Sequence, residues 1–201
     1  MLRVEKANKE MMKVCGLLVN DFECSKKVMR LLLKEKVGEN EQPLFGIRTV
    51  IRTAAALIEG VVYQLRLVCL AASEDNPLLY SVEEILALKQ ENISIDNNGR
   101  IKVRVSFQQI QSSIAFTFLM FSKIHGKEIT IDKSDNRWES FIAFINIRNG
   151  LMHPKFLDDL ELVSNGSKAK NRECVEGVSW FIENHQRLLK ECEGVNNSSD
   201  A

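Results

Sequence analysis

The chain has 201 residues, and its 27 Lys plus Arg balance 27 Asp plus Glu, so the formal net charge is zero. That argues against a broad DNA-coating surface, which needs a strong excess of cations. With 45% hydrophobic and 27% charged residues, only 3 Pro and 10 Gly, the composition predicts a packed core of long helices, not a disordered chain or a turn-rich β fold.

A single domain over residues 1–194 with a disordered tail at 195–201 is expected. The opening Met1-Leu2-Arg3-Val4-Glu5-Lys6 is charged from its third residue and does not read as a secretory signal. The longest uncharged run, Val105 to Ser122, is interrupted by Ser, Gln and Thr and would span a bilayer poorly. These features point to a cytoplasmic protein with no membrane partner. The five cysteines are widely spaced and lack any CxxC, so neither a disulfide framework nor a zinc knuckle is expected.

In chain order, Leu2 to about Lys36 reads as one interrupted helix or two short ones, with Gly16 and Asn20-Asp21 as weak points. Gly38-Glu39-Asn40 stops it, and Pro43 opens the next helix from its first turn. From Leu44 to about Ala72, Ile47, Ile51, Ala54, Ile58, Val61, Leu65 and Val68 recur at helical steps. Arg52, Glu59 and Arg66 are seven apart and share one face, bordered by Arg48 and Tyr63. That stripe is either a solvated face or the lining of a polar cleft.

Ser81-Val82-Glu83-Glu84 has capping-box form before a short helix. Ile93-Ser94-Ile95 and Ile101 to Val105 alternate around Asp96-Asn97-Asn98-Gly99, which predicts a hairpin that should pack on the helices. Phe107 to Ile124 is predicted helical and Gly126 stops it. Ser134 or Asp135 should cap a helix carrying Trp138, Phe141, Ile142, Phe144 and Ile145, which runs to about Met152 because Pro154 disfavours helical backbone at His153. A polar loop around Ser164-Asn165-Gly166-Ser167 precedes a last amphipathic helix carrying Val175, Val178, Phe181, Leu188 and Leu189. The fold class expected is all-α with a small hairpin insertion at about residues 93–105.

Of three histidines, His125 reads as a helix C-terminal cap and His185 as an edge-of-core residue. No pair has helical metal-ligand spacing, and no acidic cluster suits a divalent ion, so neither a metal nor a cofactor is expected. His153 stands in a different setting. Arg148, Asn149, His153 and Lys155 bring a guanidinium, an amide, an imidazole and an ammonium within eight residues. Guanidinium and ammonium groups bind phosphate oxygens, and imidazole transfers protons near neutral pH. The same groups also suit a plain helix C-terminus, where cations satisfy loose carbonyls.

Arg148-Asn149-Gly150-Leu151-Met152-His153 resembles the Arg, polar residue, short spacer, His signature of the HEPN superfamily, with four residues between Arg148 and His153. The long apolar helix before the motif and the amphipathic helix after it agree with that helical bundle, and Leu57-Ile58-Glu59-Gly60 looks like the Glu-bearing second helix of some members. The hairpin lies outside the family's minimal bundle. The resemblance implies a metal-independent endoribonuclease, acting on RNA as part of a toxin–antitoxin or anti-phage defence system with an antitoxin or regulatory protein. It also allows a non-catalytic interaction or nucleotide-binding module, or a regulatory partner of a nucleotidyltransferase. In the ribonuclease reading, His153 transfers protons, Arg148 stabilises the phosphoryl group and Asn149 orients His153 or substrate. Lys155 and Glu59 are the further substrate-site candidates. A two-fold homodimer would face two Arg148–His153 motifs across one cleft, with Glu59 offsetting their positive charge.

Overall fold

The computed structural model describes residues 2–34, 41–106, 108–153 and 168–193. Among them are six helices and one two-stranded sheet: α1 (Arg3–Lys34), α2 (Glu41–Asp75), α3 (Val82–Lys89), β1 (Glu91–Ile95), β2 (Ile101–Val105), α4 (Ile110–Ile124), α5 (Arg137–Met152) and α6 (Lys168–Glu193). The fold is all-α with a small antiparallel insertion, as the helical periods and the single alternating stretch predicted. It divides into two compact units, one of residues 1–14, 61–131 and 190–201 and the other of residues 15–60 and 132–189.

The first unit holds the hairpin. Its core takes Val61, Leu65, Val68 and Cys69 from α2 and Ile114, Phe118 and Phe121 from α4. Tyr80 ties the loop before α3 to α4, because its buried hydroxyl donates to the Met120 carbonyl at 2.8 Å. The capping box predicted at α3 is present: the Glu84 amide donates to Ser81 Oγ at 3.2 Å, and the Ser81 amide to Glu84 Oε2 at 3.0 Å.

The hairpin turns where its sequence predicts. Asp96 Oδ1 accepts the amides of Asn98 and Arg100, both at 2.9 Å, and Gly99 takes the left-handed φ of +75°. Its packing differs from expectation: every residue of β2 and all but the first of β1 is exposed, so the hairpin projects and does not lie buried on the helices. α4 starts at Ile110 and residues 108 and 109 are not helical, later than the periodicity suggested; Phe107, where it placed the start, lies outside the described residues. The Ser106 amide extends the strand ladder to the Gln90 carbonyl at 2.7 Å. Gly126, at φ +65°, ends α4 as predicted.

The second unit is built from parts of α1, α2 and α6 with the whole of α5. Phe22, Ile51, Leu57, Ile58, Phe141, Phe144, Trp180 and Phe181 form its core. Trp138, Phe141 and Trp180 make a ring cluster with centroids 5.1–5.7 Å apart. α5 and α6 approach so closely that a Cβ on Gly177 would stand 2.6 Å from the Ser140 carbonyl oxygen and 2.7 Å from Phe141 Cα.

Three further expectations are corrected. α1 runs unbroken through Gly16 and Asn20-Asp21, since burial of Met11, Cys15, Phe22 and Ser25 along it outweighs the weak local propensity. Arg66 does not share the solvated face of Arg52 and Glu59. It is buried, and Nη2 donates to the Ser113 hydroxyl, because α4 packs over this part of α2. Val175 is exposed, and the buried stripe of α6 runs instead through Cys174, Val178, Phe181, Leu188 and Cys192. Pro43 lies in the first turn of α2 as expected. The stop at 38–40, the polar loop at 164–167 and the tail at 195–201 lie outside the described residues.

Candidate functional site

The N-terminus of α5 is held by Asp135, whose Oδ1 accepts the Arg137 amide at 2.8 Å and whose carboxylate also takes the Arg137 guanidinium. Of the two expected capping residues, Asp135 serves this role from one position before the formal cap, Asn136. Asn136 is already wound to φ −57° and ψ −23° and makes no side-chain capping bond. Ser134 turns away and donates to Asp132 Oδ1 at 2.6 Å.

Along α5 the buried residues are Phe141, Phe144, Ile145 and Leu151. Arg148 stands seven after Phe141 and three before Leu151, so a guanidinium occupies the helix's own core stripe. Its side chain is accordingly only 20% exposed. Nη2 pairs with Glu59 Oε1 of α2, Nη1 donates to Asn149 Oδ1 at 2.8 Å, and Nε is buried with no hydrogen-bond partner among the described residues. Burial explains this geometry: the apolar register draws the stem inward, and the charged end turns to the nearest carboxylate.

α5 ends at Met152. The His153 amide donates to the Asn149 carbonyl at 3.0 Å, while its φ of −132° and ψ of 62° leave the helical region, as the following proline demands. The His153 ring is exposed and hydrogen-bonds to none of the described residues. It comes four residues after Asn149 and five after Arg148, just past the end of the regular helix.

Arg148, Asn149 and Glu59 are therefore brought together, while His153 stands exposed at the helix end and is not bonded to the guanidinium. Lys155 lies outside the described residues. The sequence offered Glu59 as the carboxylate that offsets the motif's charge, and what the structure adds is its direct pairing with Arg148 within one chain. The available signal was that Glu59 is the sole carboxylate between residues 42 and 73.

The other two histidines lie partly buried against aromatic rings. His125 sits at the C-cap of α4 with its ring 5.3 Å from that of Phe121, and burial lowers its pKa, with Lys127 adding to the effect. His185 lies nearly parallel to Phe181, with centroids 6.4 Å apart, and burial pushes its pKa down to about 4. Among the described residues, no group of three or more His, Cys, Asp or Glu side chains is placed to hold a metal ion. A groove of about 420 Å³ in the same unit, lined by Phe22, Ile51, Ala54, Phe144 and Val178, includes none of the motif residues.

No family model matches the chain, and no curated protein or solved structure matches it either.

Proposed function

We propose that the chain is a cytoplasmic, metal-independent endoribonuclease of HEPN type. The observation that carries this reading is the end of α5: a partly buried guanidinium with a polar residue beside it, followed one turn on by the one histidine whose ring is exposed. RNA supplies its own nucleophile. A base removes the 2′-OH proton, O2′ bonds to the adjacent phosphorus, and the P–O5′ bond breaks as an acid protonates the leaving oxygen. The products are a 2′,3′-cyclic phosphate and a 5′-hydroxyl.

His153 transfers a proton, Arg148 stabilises charge on the phosphoryl oxygens, and Asn149 holds the guanidinium's orientation. Glu59 neutralises Arg148 until a phosphate displaces it. One chain offers one such histidine, whereas the reaction uses a base and an acid. A two-fold homodimer with paired motifs would supply both. Defence against phage, under control of an antitoxin or regulatory protein, is the role consistent with such a nuclease.

A second reading is favoured by one observation. Arg148 already has its charge met within the chain by Glu59, as it would in a non-catalytic helical module. Incubating labelled RNA with the wild type, Arg148→Ala and His153→Ala in EDTA separates the two. Cleavage by the wild type alone, with unchanged helical content in both variants, supports the enzyme. Cleavage at equal rates by all three, or by none, refutes it.

A further inference from the structure

Directly opposed residues of the hairpin share a face, so Glu91, Ile93, Ile95, Ile101, Val103 and Val105 line one side, and Asn92, Ser94, Lys102 and Arg104 the other. Exposure of the five apolar residues runs from 48% at Ile93 to 73% at Ile95. β-Branched side chains at alternate positions are the pattern of a buried sheet face, yet this one meets solvent. It presents roughly 500 Å² of contiguous apolar surface, near the upper end of what monomeric proteins expose.

We propose that this face is an interface for a second copy of the chain, the two hairpins packing face to face. Two such faces would bury about 1,000 Å², which reaches the area a specific interface needs. The face carries only one charge, Glu91 at its end. It therefore has no charge pattern to select an acidic or basic partner, and nothing to hold phosphate. A two-fold axis across the strands lays the Glu91–Val105 end of one copy over the Ile95–Ile101 end of the other and keeps the two carboxylates at opposite ends. Edge-to-edge joining of β2 strands is disfavoured, because antiparallel pairing centred on Val103 would set Lys102 against Arg104 twice. This association stands apart from the ribonuclease reading and is measured without RNA.

The test is hydrogen exchange of the full chain at about 1 µM and about 100 µM, beside sedimentation velocity. Amides of residues 91–105 are expected to exchange at least about tenfold more slowly at the higher concentration, as the hairpins associate. Val103→Lys should weaken association by about a hundredfold or more, whereas Lys102→Glu on the opposite face should change it by less than about threefold. Exchange of residues 91–105 that is as fast in the wild type as in Val103→Lys at both concentrations overturns the proposal, whether the chain stays monomeric or associates elsewhere. So does protection that appears only with lipid vesicles, or a Val103→Lys protein that associates as tightly as the wild type.

Discussion

Replacing Gly177 by alanine tests a close backbone contact between α5 and α6 in the unit that carries the Arg148 motif. In isolation the change should help, because alanine is favoured over glycine inside a helix by about 1 kcal/mol. Here the added methyl would stand 2.6 Å from the Ser140 carbonyl oxygen, 2.7 Å from Phe141 Cα and 2.8 Å from Phe141 N. All three are backbone atoms of α5, so no side-chain rotation relieves the clash and the two helices must part. Overpacking against a fixed neighbour costs about 3 kcal/mol when the backbone has to move. The net loss is then about 2 kcal/mol, or roughly 4–8 °C in Tm for a chain of this size. Thermal and urea denaturation followed by circular dichroism would measure it. The opposite sign is expected at Gly16, where nothing lies within 4 Å of the added methyl. Gly16→Ala should gain about 0.5–1 kcal/mol. A Gly177→Ala protein as stable as the wild type, or more so, would refute the close approach of α5 and α6.

The remaining expectations concern charge. The His185 pKa is depressed to about 4 from 6.5, so the unfolded chain binds the proton first as pH falls. Stability should drop through the window from about pH 6.5 to about pH 4, by roughly 3 kcal/mol in all. His185→Gln should flatten that part of the denaturation profile, and superimposable profiles would contradict the assignment. Arg66 is buried and, among the described residues, meets a hydroxyl and no carboxylate, with burial lowering its pKa. Arg66→Met should therefore be neutral or stabilising by up to about 1 kcal/mol, while Arg66→Ala loses about 2 kcal/mol through the cavity it leaves. Equal losses in urea denaturation would show that the charge itself is required. Glu59→Gln should cost at most about 1 kcal/mol in stability, since the pair is partly exposed. By freeing Arg148 it should tighten binding of a non-cleavable 2′-deoxy RNA analogue severalfold at low salt. Weakened binding in fluorescence anisotropy would place Glu59 on the substrate instead.

Local rules were legible in the sequence wherever a few neighbouring residues decide the outcome. The Ser81–Glu84 capping box, the turn at Asp96 to Gly99, the stop at Gly126 and the end of α5 before Pro154 each depend on backbone chemistry within four or five residues. The helical periods through α2, α4 and α5 likewise identified most of the buried faces. What lies across the chain was not legible. Period alone could not say that Arg66 lies buried against Ser113 while Glu59, on the same stripe, reaches out to Arg148. Alternation marked the hairpin's apolar face but could not say that nothing in the described chain covers it. The motif shows the same division: residue types and spacing were readable, but the pairing of Arg148 with Glu59 joins residues 89 positions apart. A charge's partner depends on which helices meet, and that depends on the summed burial of whole faces.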